Sequence, residues 1–486
     1  MIKRCRIPAW VAVSLLVLSS PSEAGSTTWV VDAAGGPGSD FTAVQPALDV
    51  AVAGDAIEVR SGTYAGFVVS RGVAVYAAAG ASVDVTGGVV VQNLAAGEPA
   101  ELSRLNVHPA GEEVALELLN VAGAVRIEDC TLEGYDALPP SESDGLPALS
   151  ADTCDEVVLV RCTLIGGDGY VNTTLPGYFG GFSGGEGILA FASSVEVYDS
   201  NVSAGQTGGF FVGESCLGGP MGSHGARATQ SSTLFAANST FTGGPGGAGG
   251  CDPGLFTCCS SGSRGGDATH FDASSSGSYH AVTFSPGLGG IGGYVFKGCG
   301  GEPGCFDGAS GSERGGLGGS SVTEIPLRRY CFGERSACPC ANAGAGTAGC
   351  EGAFDTGGAR LDALGTASVG SDSITLVATG LNPSTTPTGL FFQGSLAQNG
   401  GLGTVLNDGL LCAGGTIVRL KGKTAIGGTT SLGFGVSGDP ELSILGQLPP
   451  AGGTRFYQFW YRHQPAMFCP PERFNMSNGV EIVWGP

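Results

Sequence analysis

The sequence predicts an all-β protein: a right-handed parallel β-helix solenoid with an N-terminal capping helix, followed by a small antiparallel β-sandwich. Three observations carry this expectation. A short phrase, a small residue followed by Thr or Asn and then a large apolar residue, recurs at Cys130-Thr131-Leu132, Cys162-Thr163-Leu164, Ser200-Asn201-Val202, Ser239-Thr240-Phe241 and Val282-Thr283-Phe284. Glycine supplies 88 of 486 residues while charged residues are only 13%, too apolar for disorder and suited to short strands joined by tight turns. From about residue 368 the phrase is gone and a different set of strand-like runs begins.

Residues 1–24 read as a secretory signal peptide: Lys3, Arg4 and Arg6, an apolar run over 9–18 too short to span a bilayer, then Ser22-Glu23-Ala24 as the cleavage segment. The expected location is therefore secreted or cell-surface, with no membrane insertion after cleavage. The net charge of −21 becomes more negative still once that basic leader is gone. A surface so acidic repels phosphate, which argues against nucleic acid as a partner.

Next comes the cap of the solenoid. Thr42 and Gln45 have capping-box spacing, and Val44, Ala47, Leu48 and Ala51 form the apolar stripe of a short helix. Gly54-Asp55 ends it, Ile57-Glu58-Val59-Arg60 alternates as a strand, and Ser61-Gly62-Thr63 turns. Such a helix covers the unpaired edge of a first rung. The run FTAVQPALDVAVAGDAIEVRSGTY resembles the opening of secreted parallel β-helix proteins of the pectate-lyase-like class. The resemblance implies a β-helix over 25–325 and an extracellular protein of a class in which many members handle carbohydrate. It implies no single activity.

Rungs follow at 68–69, 73–76, 83–85 and 89–91, and Leu105-Asn106-Val107 looks like an early copy of the phrase. The interval between copies then lengthens, from 25 residues between Val107 and Leu132 to 43 between Phe241 and Phe284. Stacked rungs cannot grow, so the extra length is expected to leave at one corner as Gly-rich loops near 133–147, 165–186, 203–225, 242–266 and 285–320. The pattern changes into a Cys-rich connector over 326–367, and a C-terminal β-sandwich is expected over 368–486. Its strand candidates are 373–377, 389–393, 416–420, 455–461 and 480–484. GLFFQGS, NDGLLCAGGTIVRL, FYQFWYRH and FNMSNGVEIVW resemble a C-terminal module of exported proteins from planctomycete-type bacteria. In 456–461, Phe456, Gln458 and Trp460 share one face of a strand and Tyr457, Phe459 and Tyr461 the other; one face is expected to be core and the other a sheet-to-sheet packing surface rather than a sugar-stacking one.

In an exported chain disulfides are the default reading of cysteine. Cys130 and Cys162 hold equivalent rung positions about 4.8 Å apart, within disulfide range, with stacked free thiols the equal alternative. Cys299 and Cys305 suit one loop, and Cys251 suits Cys258 or Cys259. Cys331, Cys338, Cys340 and Cys350 fit zinc spacing poorly and are expected in disulfides, leaving Cys412 and Cys469 to staple the last domain.

The chemistry is less legible. The Asn-Thr-Asp, Asp-Asp, Gly-His-Gly and Arg-Ile-Lys motifs of galacturonan hydrolases are missing; Ser223-His224-Gly225 and Val125-Arg126-Ile127-Glu128 are the nearest fragments. Charged side chains expected on the loop face are Asp168, His224, Arg264, Asp267, Asp307 and Arg314. None of the five histidines (His108, His224, His270, His280 and His463) shares a familiar metal or triad spacing with another. No cofactor is expected; a weak match to a Gly-rich Ca2+ repeat runs over 246–252, with Asp252 one place late. The leading expectation is a non-catalytic exported protein of the surface that binds or builds, with polysaccharide or a cell-surface glycan as partner. The alternative is a carbohydrate-active enzyme, a polysaccharide lyase or glycoside hydrolase, with its site on the loop face.

Overall fold

The repeated phrase is a strand. In the computed structural model Thr131–Glu133, Thr163–Ile165, Asn201–Ser203, Thr240–Thr242 and Thr283–Ser285 pair in parallel, so that Leu132, Leu164, Val202, Phe241 and Phe284 fall in one register. Residues 26–137, 143–170, 182–208, 220–247, 263–289, 309–316, 321–354, 356–462, 469 and 473–486 are described. The expected signal peptide, Cys251, Cys258, Cys259, Cys299, Cys305, Asp307, His463 and most of the Ca2+-like segment lie outside them.

Each phrase is entered through a turn. The residue before it (Asp129, Arg161, Asp199, Asn238 or Ala281) has φ between 49° and 52°, which swings the small residue inward. That residue then caps the neighbouring rung: Ser200 Oγ donates to its own Tyr198 carbonyl and accepts the N–H of Cys162. Ser239 does the same for Ser200. Small polar residues recur here because each buried N–H at the turn needs a partner.

These strands form an eight-stranded parallel sheet; the rest of the solenoid is a 16-stranded sheet in which Leu116–Glu128 and Leu149–Val160 run through two stacks at once. The interior is aliphatic, with Ile57, Val91, Leu116, Val125, Leu159 and Val195 fully buried. The helix Val44–Val50 caps the first rung with Val44, Ala47 and Leu48 turned inward, but its entry corrects the expectation. Ala43 is the N-cap and makes no side-chain cap. Gln45 instead accepts the Val68 N–H and donates to Asp49, so no capping box forms.

The cysteine expectations are corrected in two places. Cys130 and Cys162 are free, as is Cys154. Each thiol of the stacked pair is engaged along its own turn, Cys130 with the Glu128 carbonyl and Cys162 with the Val160 carbonyl. Burial pushes the Cys130 thiol up to about 12 and that of Cys162 well up too, so both stay protonated. Cys412 and Cys469 do not bond each other. Among the described residues the disulfides are Cys331–Cys412, Cys338–Cys350 and Cys340–Cys469, so the Cys-rich segment is fastened to the final domain.

That segment also supplies strands. Leu327–Tyr330 pairs with Gly479–Trp484 in a six-stranded antiparallel sheet, and Arg360–Leu364 opens a three-stranded one. Between them Tyr457, Phe459 and Tyr461 lie in the core as their alternation requires. On the opposite face Gln458 is fully buried yet satisfied, accepting from Cys412 N–H and donating to the Leu410 and Ser477 carbonyls.

The module docks on the outer face of the solenoid. Phe332 inserts among Val158, Val160, Tyr198 and Ala237, its ring 4.9 Å from that of Tyr198. Beside it, buried Arg126 reaches Glu101 at 3.3 Å and the Gly333 carbonyl at 3.0 Å, and Arg161 pairs with Asp129 and Glu334.

Candidate functional site

The Gly-rich segments leaving the phrase are not open loops where they are described. Each lengthened rung sends out an arm and brings one back, and the arms stack from rung to rung. Outgoing arms bond to outgoing arms, as in Gly166 N–H to the Ser203 carbonyl and Gly243 N–H to that of Ser285. Returning arms do likewise, as in Gly222 to Arg264 and Gly265 to Ala309. A third set crosses between the layers: Gly244 N–H to Ser223, Gly266 to Gly244, Gly287 to Gly266 and Gly311 to Gly287. Consecutive residues Gly265 and Gly266 thus bond to different neighbours. This is the threefold pattern of an extended helix with three residues per turn rather than a flat sheet. A Cβ on Gly266 would overlap the Ser223 carbonyl, and one on Gly167 that of Tyr135.

Three residues per turn puts every third side chain on one outer side. On the returning arm Arg264 and Asp267 stand at that interval, and His270, three residues on, lies in the strand Thr269–Phe271 that the arm leads into. One rung earlier His224 occupies the place of Asp267, and Arg227 is in register with His270. One rung later Gly315 pairs with His270. The space over Gly315 is where the Asp267 carboxylate lies, and a Cβ there would collide with it.

The result is a hydrogen-bonded cluster around a carboxylate with no exposure. Asp267 Oδ1 accepts from the Ser312 N–H at 2.7 Å and from Arg264. Oδ2 faces His270 Nδ1 at 2.7 Å. The Asp267 N–H donates to His224 Nδ1 at 3.0 Å, and the two imidazoles stack with centroids 4.4 Å apart. Burial would raise Asp267, but the His270, Ser312, His224 and Arg264 contacts outweigh it and hold the group at about 2. Burial, with His270 alongside, pushes His224 down to about 4 against the pull of Asp267. Nearby Glu186, paired with Arg227 at 3.6 Å, is raised by its burial.

These contacts fix the tautomers. A backbone N–H only donates, so His224 Nδ1 is bare and its hydrogen sits on Nε2. Asp267 is ionised, so His270 Nδ1 carries the hydrogen and, in the neutral ring, Nε2 is bare. The cluster therefore presents a donor beside an acceptor. Ligand atoms of His224, Asp267 and His270 lie within 4.8 Å of one another, as a metal would require. An ion held by the two Nδ1 atoms would have to displace both the backbone bond to His224 and the hydrogen between Asp267 and His270. The arrangement fits hydrogen bonding better than metal ligation.

Of the charged residues expected on the loop face, the structure gathers His224, Arg264 and Asp267. Asp168 caps a neighbouring arm instead, accepting the Gln206 N–H at 2.7 Å. Arg314 lies over the Tyr279 and Phe284 rings at 5.4 and 4.9 Å. Sequence reasoning passed over His270, Arg227 and Glu186. The missed signal is the threefold spacing of Arg264, Asp267 and His270, unreadable until the Gly-rich arm is known to be extended.

No family model matches the chain, and no curated protein matches its sequence. Among solved structures it is similar to the full-length tailspike protein 2 of an Escherichia coli O157:H7 bacteriophage, at 10% identity and TM-score 0.29, covering 95% of this chain and 69% of the other. It is also similar to the enzymatically active domain of the bacteriophage CBA120 tailspike protein 2, at 11% identity and TM-score 0.29, covering 94% and 72%. At that distance the likeness assigns no function.

Proposed function

We propose that this is an exported protein of the pectate-lyase-like β-helix class that binds polysaccharide on the flank formed by the returning arms. The observation that carries the reading is the set of side chains around Asp267. Arg227 and Arg264 are 47% and 40% exposed, and the stacked His270 and His224 beside them are 23% and 18% exposed. Planar donors and acceptors on a rigid backbone suit sugar hydroxyls, because little conformational freedom is lost on binding. The three disulfides among the described residues agree with an oxidising compartment.

A glycosidase reading has less support at this site. Glycoside hydrolysis uses a carboxylic acid and a second free carboxylate, whereas both oxygens of Asp267 are occupied and the group is buried. The test is retention of the full exported chain on immobilised neutral and acidic polysaccharides. Binding should weaken about tenfold in the double variant Arg227→Ala, Arg264→Ala, a loss of about 1.4 kcal/mol. Retention on none of them, or unchanged retention of the variant, would count against the reading.

A further inference from the structure

We propose that the same cluster hydrolyses acyl esters carried on polysaccharide, with His270 as general base, Asp267 as its positioning residue and His224 as donor to the oxyanion. The proposal rests on the polysaccharide-binding reading above and adds a chemical step to it.

The tautomers are what point to a reaction. Asp267 holds Nδ1–H of His270 at 2.7 Å, which fixes the ring and leaves Nε2 as a proton acceptor. Among the described residues that nitrogen makes no hydrogen bond, and the His270 side chain is 23% exposed. His224 has the opposite polarity. Its Nδ1 is spent on the Asp267 N–H, so a hydrogen stands on Nε2 of a ring stacked 4.4 Å away. An acceptor and a donor, each held in one tautomer by the same aspartate residue, can divide the work of an acyl transfer: one takes a proton from water, the other meets charge forming on the carbonyl oxygen. The half-exposed guanidiniums of Arg227 and Arg264 add positive potential beside it.

The chemistry selects the bond. A glycosidic oxygen leaves only when protonated by a carboxylic acid, and Asp267 remains ionised down to about pH 2. An acyl ester needs no such acid at the start. Water attacks the carbonyl carbon while His270 Nε2 takes one of its protons. The carbonyl π pair moves to oxygen, where His224 Nε2–H and a guanidinium receive it. As the tetrahedral intermediate collapses, the C–O bond to the sugar breaks and the imidazolium returns the proton to the sugar oxygen. The products are a carboxylic acid, ionised at neutral pH, and a free sugar hydroxyl. Water is the only co-reactant, and no oxidant or metal enters the balance.

Gly315 belongs to this device. The Asp267 carboxylate lies where a side chain at position 315 would stand, so glycine there lets the carboxylate reach His270 without leaving its own rung.

The experiment is acetate release from an O-acetylated polysaccharide by the full exported chain, run beside a pull-down on the same polysaccharide. Wild type should release acetate, and His270→Gln should lower kcat by a hundredfold or more, far beyond the loss of retention that one missing hydrogen bond can cause. Asp267→Asn should lower kcat with little change in KM and alter the pH profile, as loss of a positioning group does and loss of structure alone does not. Because that buried change risks the fold, His270→Gln at the half-exposed end of the pair is the primary variant, with its melting temperature measured alongside. Retention of wild type without acetate release, or release unaffected by His270→Gln, overturns the catalytic inference and leaves the binding reading standing. Absence of both retention and release overturns the two together.

Discussion

At Gly266 the absence of a side chain is a structural requirement. Its N–H bonds to Gly244 and its carbonyl accepts from Gly287, so two neighbouring arms pass at backbone contact distance. Gly266→Ala should destabilise the solenoid by about 3 kcal/mol, since backbone rather than a flexible side chain would have to move. Gly111→Ala is the matched control: no atom lies within 4 Å of its Cβ position and its φ is not positive. Thermal unfolding should show a drop of several degrees for the first and almost none for the second. Equal effects would mean that the arms are not packed as described. The same contrast shows what a sequence hides at this scale. A glycine that turns and a glycine that packs are written with one letter.

Secondary-structure elements were the most legible level. The phrase ending at Leu132, Leu164, Val202, Phe241 and Phe284 predicted a parallel ladder because its apolar residue recurs in one register, and those residues pair as expected. Alternation in 456–461 predicted that one face of that strand is core without saying which; the structure buries Tyr457, Phe459 and Tyr461. The arms were illegible because their period is three and most of their residues are glycine, which leaves no hydrophobic pattern to read. His270 was missed with them, and so was most of the site. In the C-terminal module, one ion-paired group makes a test at element scale. The strand Val418–Thr424 sends Lys421 and Lys423 to Asp439, at 2.6 Å each. Burial pushes the Asp439 carboxyl up, but the two ammonium groups prevail and lower it. A lowered folded value means that this stabilisation is complete above the ordinary 3.8 and is lost as pH falls through the folded value. Asp439→Asn should cost about 1 kcal/mol at neutral pH, kept small because Lys421 is screened by solvent. It should also flatten the acid limb of the module's unfolding curve. An unchanged acid limb would rule the pair out as its source.

The two halves of the molecule are joined through charge as well as apolar contact. Arg126 is 2% exposed and faces Glu101, Glu128 and the Gly333 and Gly346 carbonyls across the join. Removing one partner of a buried pair leaves the others uncompensated, at about 3–5 kcal/mol. Arg126→Ala should therefore split calorimetric unfolding into two transitions where the native protein shows stronger coupling; a single unshifted peak would deny the network that role. The arms carry a different consequence, one for how such a chain can change over generations. In a strand with one buried face, a slip of one residue exchanges inside and outside for every side chain. A stretch of an arm that is all glycine, away from Arg264 and Asp267, has no side chains to exchange. Insertions and deletions in the arms should be close to silent, while nearly every substitution at their packed glycines is harmful. Ordinary surface loops tolerate both kinds of change. Among descendants of this chain, then, the arms would vary in length far more freely than in composition.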